Sequence, residues 1–413
     1  MSFSRPNIAF AFDIDGVLVR GREPLPEAKE TLQMLQKKGI PFIFLTNGGG
    51  LTEAAHIANL EQRLGLSLNE QQIVQSHTPF HGLKEQYQDK TILVLGGHGQ
   101  NVRQLAHDYG FNKVVTSSDI MIGCEHTHPF PEMTVAHHVE HGRPYESSLK
   151  DTRIHAILVW SSPRDWCLDM QVVTDLLLSK GGVLGTVSDK NGNPYLKNRG
   201  FQGDDQPRLY FCNPDIEWAT KHSQPRFAQG AFREALEGTW SKITESRMKD
   251  KGFTEDKLNT KDMTTKDKKI VKKSSKKITK SKKITKAKKT IETKKIMRAA
   301  KNKKVKLLYT LYGKPTAKTY QYAEDTLLKF NSTVANNGDA PSTKIKTVYM
   351  IGDNPASDIA GANAHVSENG LNWRSVLVES GVYVSGTTPA HKPTHIAKNV
   401  KEAVEWALMQ DNH

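Results

Sequence analysis

The sequence predicts an α/β chain: a doubly wound parallel sheet core carrying an inserted, smaller α/β domain. Three observations lead there. Strand and helix patterns alternate through the first hundred residues, a second such series fills roughly 80–210, and strand patterns resume after residue 305. Alternation of this kind puts helices on the faces of a parallel sheet. The expected divisions are 1–79 for the first part of the core, 80–210 for the insertion and 211–240 for a return to the core. A lysine-rich segment follows at 241–306, and 307–413 forms the second part of the core.

Each element has its own signal. "NIAFAFDI" is an apolar run of strand length. "LPEAKETLQMLQKKG" spaces Leu25, Ala28, Leu32 and Leu35 as one helix face, with Gly39 as its C-terminal cap. "IPFIFLTN" is apolar without alternation, as a strand covered on both faces should be. Thr52 caps the helix "TEAAHIANLEQRLG". The inserted domain shows strands at "TILVLGG", "NKVVTSS", "HAILVWS", "GGVLGTVS" and "RLYFCN", with helices at "NVRQLAHDYG" and "WCLDMQVVTDLLLSKG". The core sheet is expected to resume at "VKLLYTLYGKP", "TVYMIGDN" and "RSVLVES", and "VKEAVEWALMQ" is a terminal amphipathic helix.

The 413 residues carry a formal net charge of +14. Residues 241–306 hold 26 Lys and Arg against 7 Asp and Glu, a local +19, so the rest of the chain is at −5. This tract, with its tandem "SKKITKSKKITK", is too charged and too poor in large apolar residues to form a core, so disorder is expected. Its readings are an electrostatic arm for nucleic acid, anionic lipid or an acidic partner, a nuclear-type address, or a solvated loop. No aromatic residue lies within 256–306, which weighs against stacking on single strands. No apolar run nears the ~20 residues that span a bilayer, and no secretory or Arg-rich leader is expected before the first strand. Three scattered cysteines argue for a reducing compartment and against a disulfide framework.

Chemistry concentrates at strand ends. Asp13 and Asp15 are two positions apart, so a strand would aim both to one face, and Gly16 then lets the chain turn. Two carboxylates there are tolerable with a divalent cation between them. "FLTNGG" offers the Thr46 hydroxyl, Asn47 and backbone N–H groups suited to phosphate oxygens. "YGKPT" places Lys314 after a strand, with Pro315 expected in the first turn of the next helix. Asp353 ends the strand of "VYMIGDNPASDIAGA", with Asp358 five residues on to steady a metal site.

The ordered set "DIDGV … TN … GKP … GDNPASD" resembles the haloacid dehalogenase-like (HAD) superfamily of aspartyl-phosphate hydrolases. The insertion between the second and third motifs is similar to the subfamily IIA arrangement with its C2-type α/β cap, and "CNPD" at 212–215 resembles the signature where such a chain leaves the cap. "SSPRDWCLDMQVVTDLLLS" and "GDNPASDIAGAN" resemble the group related to cat eye syndrome critical region protein 5.

The resemblance implies a Rossmann-like core and a Mg²⁺-dependent phosphatase acting on a small phosphorylated metabolite. Asp13 would be the nucleophile and Asp15 the general acid/base. Thr46, with the Asn47 and Gly48 backbone, would bind phosphate, and Lys314 would neutralise its charge. Mg²⁺ would be held by Asp13, the Asp15 carbonyl and Asp353, with Asp358 supporting that shell. It also implies a homodimer formed through the cap, and a mitochondrial location associated with glycerophospholipid metabolism, the alternative compartment being the cytoplasm. The rival to an enzyme is a protein of the same fold that binds or regulates with little turnover.

Two weaker features have a plainer alternative. His126, His128, His137, His138 and His141 could include a helical metal pair, or form a polar loop of the insertion. "LGGHGQNV" lacks the dinucleotide fingerprint and is expected to be a tight strand-to-helix turn.

Overall fold

The computed structural model describes residues 7–21, 23–123, 135–145, 148–149, 151–218, 226–250, 304–336 and 344–411. In chain order the strands used below are β1 (Ile8–Phe12), β2 (Phe42–Leu45), β3 (Ile73–Val74), β4 (Thr91–Leu95), β5 (Lys113–Val115), β6 (Ala156–Val159), β7 (Arg208–Phe211), β8 (Thr310–Leu311), β9 (Thr347–Gly352), β10 (Asn372–Val378) and β11 (His395–Ala397). The helices are α1 (Ala28–Lys38), α2 (Glu53–Leu64), α3 (Asn101–Asp108), α4 (Ser117–Gly123), α5 (Val135–His141), α6 (Trp166–Leu178), α7 (Gln229–Asp250), α8 (Ala317–Asn336) and α9 (Val400–Asp411).

Two parallel sheets organise the chain. The first runs β11-β10-β9-β1-β2-β3 and the second β8-β7-β6-β4-β5. The sequence of β1 accounts for its central place. Ile8, Phe10 and Phe12 face α1 and α9, where Leu32, Leu35, Val404 and Ala407 close the layer. Ala9 and Ala11 face the other way, and their small side chains admit Tyr320, Ala323 and Leu327 of α8. Period-two alternation of large and small, rather than apolar and polar, marks a strand buried on both faces. The expected caps are present: Gly39 closes α1 at φ 61°, and Thr52 accepts a hydrogen bond from Ala55 N–H at the start of α2.

Several expectations need correction. Residues 307–312 do not rejoin the first sheet, because Thr310 and Leu311 pair with Tyr210 and Phe211 as an edge strand of the second. Leu307, Tyr309 and Leu311 bury their side chains in that sheet's core, and the chain crosses back only after Gly313. Nor do residues 211–240 return wholly to the core. Phe232, Leu236 and Trp240, at i, i+4 and i+8 of α7, pack among the second sheet's apolar residues.

The same helix continues to Asp250, so the lysine-rich segment begins as helix, held by buried Thr244. Residues 251–303 of that tract, and His126 and His128, lie outside the described residues. "GGVLGTVS" is not a strand. Gly181, Gly182 and Gly185 all take positive φ (65°, 83° and 74°), leaving only isolated bridges at Val183. Truncating Trp240, which is 1% exposed, is expected to cost ~3–5 kcal/mol. The Trp240→Ala change should appear as a lowered urea midpoint with an unaltered slope.

Candidate active site

The strand order of the first sheet reverses between β1 and β9: β2 and β3 lie to one side, β10 and β11 to the other. Helices diverge at such a point and leave a crevice beyond the strand carboxyl ends. Asp13 and Asp353, each the residue after its strand, flank that crevice. Asp13 N–H donates to the Ile351 carbonyl at 2.9 Å, which continues the β1–β9 ladder by one step.

The chain then folds into a tight turn in which the Ile14 carbonyl accepts from Val17, Leu18 and Val19 N–H. Gly16 sits in this turn at φ 86°, where any Cβ would collide with Asp353 Oδ2 and with Gly381. β1 ends at Phe12, so this turn and not strand pleating sets the directions of Asp13 and Asp15. Asp13 is buried. Asp15 reaches solvent, although the protein packed around it still raises its carboxyl above the usual range, opposed by Arg63 and Lys314.

Lys314 joins the two sides of the crevice. Its Nζ lies 2.6 Å from Asp13 Oδ1 and 2.7 Å from Asp358 Oδ1, and the residue is 1% exposed. Burial opposes its charge, but the two carboxylates outweigh burial and hold the ammonium above its ordinary range. Its strand-end context differs from expectation: Pro315 lies outside the next helix, which begins at Ala317.

Asp358 has both oxygens engaged, Oδ1 by Lys314 and Oδ2 by Asn354 N–H at 3.0 Å. Asp353 accepts Val382 N–H on Oδ2 at 2.7 Å. Among the described residues, Asp13, Asp353 and Asp358 offer carboxylate oxygens within 4.8 Å of one another. Three buried carboxylates thus share one lysine. Burial raises Asp13 and its neighbours together: Asp358 is pushed up to about 6, and Asp353 is held well above the carboxylate range by burial, Asp13 and Asp358. Two negative charges remain uncompensated, and a divalent cation is the group that fits such a donor set.

The loop after β2 brings Thr46, Asn47 and Gly48 to the same edge. Gly48 N–H donates to Thr46 Oγ1 at 2.9 Å, leaving the hydroxyl proton to point elsewhere. Asn47 is a clamp across long sequence distances. Its Nδ2 donates to Asp215 Oδ2 and to the Lys314 carbonyl, each at 3.0 Å, while its Oδ1 accepts Lys314 N–H at 2.7 Å. Its own carbonyl accepts from Asn213 Nδ2 at 2.8 Å.

Asn213 and Asp215, read in the sequence only as part of "CNPD", therefore tie the phosphate-type loop to the lysine loop; that tetrapeptide was the only signal for them. Burial pushes Asp215 up to about 6 despite Asn47 and Lys314. Removing the clamp with Asn47→Ala is expected to cost roughly 2–4 kcal/mol and to displace Lys314. The change is read by denaturant unfolding together with a fall in kcat of about 10-fold or more.

Known proteins share this arrangement. The family model described as haloacid dehalogenase-like hydrolase matches residues 10–112, and a second HAD-hydrolase-like model matches 311–403. A fusion protein of Schizosaccharomyces pombe, named as a cardiolipin synthase (CMP-forming) joined to a mitochondrial hydrolase, is 34% identical over 97% of this chain. The chain spans 53% of that protein, about half its length. A mitochondrial hydrolase of Saccharomyces cerevisiae is 31% identical over 97% of this chain and 95% of its own. Among solved structures, the p-nitrophenyl phosphatase from Archaeoglobus fulgidus aligns with a TM-score of 0.51 at 14% identity, over 97% of this chain and 99% of that one. That last likeness is one of fold.

Proposed function

The chain belongs to the haloacid dehalogenase-like hydrolases, and from that premise we propose that it is a Mg²⁺-dependent phosphatase of small phosphomonoesters working through an aspartyl phosphate on Asp13. One observation carries the reading: three buried carboxylates, Asp13, Asp353 and Asp358, converge on a single buried Lys314 at the switch point of the sheet. Asp13, Asp353 and the Asp15 carbonyl would hold Mg²⁺, with Asp358 fixed from behind by Lys314 and Asn354 N–H. When bound, the cation offsets carboxylate and phosphate charge so that an anion can be approached by an anion.

The protein groups supply the rest. Lys314 and the Thr46 hydroxyl orient the phosphoryl oxygens. Asp13 attacks phosphorus, a P–O bond to its carboxylate forms, and the bond to the alcohol breaks. Asp15 gives its proton to the departing alkoxide, a role that suits a carboxyl raised above the ordinary range. The resulting Asp15 carboxylate then takes a proton from water, whose oxygen attacks phosphorus and releases phosphate and the free Asp13 carboxylate. Asn47 acts on position rather than on substrate, since its side chain is committed to Asp215 and Lys314.

The test is phosphate release from p-nitrophenyl phosphate with Mg²⁺ and after chelation. Release is expected only with the metal, and equal release after chelation overturns the reading. Absence of release under both conditions would leave a binding or regulatory protein on the same fold. The two fungal relatives named as mitochondrial hydrolases support a mitochondrial location for this chain, checked by cell fractionation. The fusion of one of them to a cardiolipin synthase supports a role near glycerophospholipid chemistry.

A further inference from the structure

The second sheet repeats the topology that builds the carboxylate centre. β4 leads to β5 on one side, whereas β6, β7 and β8 follow on the other, so its strand order reverses between β4 and β6. A crevice beyond the carboxyl ends of those two strands is the expected consequence. A cavity of about 580 Å³ occupies that place. Its walls come from Gly96–Gly99 after β4, from Arg164–Cys167 and Asp169 after β6, and from the start of α4 and part of α5.

Asp169 marks the cavity as a ligand site. It lines the wall and is 3% exposed, and its Oδ1 has no hydrogen-bond partner among the described residues. Ser117 holds the side chain, while burial pushes the carboxyl up to about 7. A buried acceptor left open in this way is unusual unless a ligand supplies the donor. The remaining lining mixes donors and acceptors, with Ser117, His98 and Arg164 beside Asp165 and Asp169. Among the described lining residues one guanidinium faces two carboxyl groups, so the cavity has no excess of positive charge. Trp166 adds a flat apolar wall, its ring stacked on Phe227 at 6.1 Å. Polar groups around one aromatic face suit a hydroxylated ring or chain and leave little continuous apolar surface for an acyl tail.

Two contacts connect the cavity's rim to the catalytic edge. Ser161, which follows β6 and packs on Gly96, comes within 3.3 Å of where Gly50 would carry a Cβ, three residues beyond Asn47. Phe227 belongs to the short hairpin of Glu217–Trp218 and Arg226–Phe227, which directly follows Asp215. Resting on the phosphatase reading, we propose that this cavity receives the alcohol half of the substrate, and that this half is uncharged and rich in hydroxyls (a polyol, sugar or nucleoside), with one hydroxyl donating to Asp169 Oδ1.

The experiment compares esters matched for leaving group: glycerol 3-phosphate against propyl phosphate, a hexose 6-phosphate against hexyl phosphate, and a nucleoside 5′-monophosphate. At least one hydroxylated ester is expected to exceed its alkyl counterpart in kcat/KM by about 10-fold or more. Asp169→Leu, which matches the side chain's volume without its acceptor, and Trp166→Ala should each lower that ratio by a similar factor. Which hydroxylated ester leads separates polyol, sugar and nucleoside. Alkyl phosphates turned over equally well, or a ratio unmoved in both variants, overturns the proposal. If even p-nitrophenyl phosphate is untouched, the phosphatase reading falls by itself. The cavity is then read by calorimetry of the same esters on the wild-type chain, where equal affinity for hydroxylated and alkyl members overturns the proposal.

Discussion

Asp13→Asn is expected to lower Mg²⁺-dependent phosphate release by about 10⁴-fold or more, the scale on which removing a covalent nucleophile acts. The amide keeps the shape of the carboxyl and can still accept from Lys314 Nζ, which lies 2.6 Å from Asp13 Oδ1 in the wild type. What it loses is the oxygen lone pair able to attack phosphorus. The stability effect should run the other way. Burial raises the Asp13 carboxyl, so its ionised form is disfavoured in the native state. The substitution leaves Lys314 with two acidic neighbours, Asp358 and Asp353, in place of three. Without metal the variant should therefore unfold at the same temperature as wild type or higher. Loss of activity with unchanged or increased thermal stability separates a catalytic role from a structural one. Wild-type release by the variant would remove Asp13 from the mechanism.

How much of this was legible in the sequence depends on how local each feature is. The alternation of large and small apolar residues in β1, the Gly39 and Thr52 caps and the strand-end acids are set by neighbours a few positions apart, and pattern reading found them. The placement of Thr310–Leu311 was not legible. A two-residue strand flanked by Leu307 and Tyr309 carries no mark of which sheet it joins, and the answer came from tertiary packing. The extension of α7 to Asp250 was hidden by composition, because a charged surface helix looks like the lysine-rich tract that follows it. Within the candidate site, "CNPD" was visible as a motif, but the Asn47 clamp was not. Its partners Asp215 and Lys314 are 168 and 267 positions away, and only the two crossings between sheets bring them together. Asp358 was expected at the metal's margin. Its two engaged oxygens suit that supporting place, although its carboxylate lies in the same group as Asp13 and Asp353.

Lys314→Met is expected to destabilise the metal-free protein by ~3–5 kcal/mol, because it removes the one cation shared by buried carboxylates and leaves them unpaired. Methionine fills most of the space of the lysine stem, so packing contributes little to the loss. Mg²⁺ should restore part of the stability, since a ligand that binds only the native state stabilises it by mass action. That gain should be larger at pH 8 than at pH 5. Asp13, Asp353 and Asp358 all have carboxyls raised in the folded state, Asp358 to about 6. A group raised on folding binds its proton more tightly in the native state. Its stabilising contribution is present at low pH and is lost as pH climbs through the folded value. At pH 5 protons already neutralise part of the cluster and compete with the cation, whereas at pH 8 the cation is the only remaining source of positive charge in the variant's cluster. Turnover should fall by about 10³-fold even with Mg²⁺, as the ammonium no longer meets the phosphoryl charge. Urea unfolding of wild type and variant at both pH values, in chelator and in Mg²⁺, measures all four terms. A variant as stable as wild type in chelator would show that the carboxylates are protonated throughout, and with that the case for a divalent cation at Asp13 and Asp353 would fail.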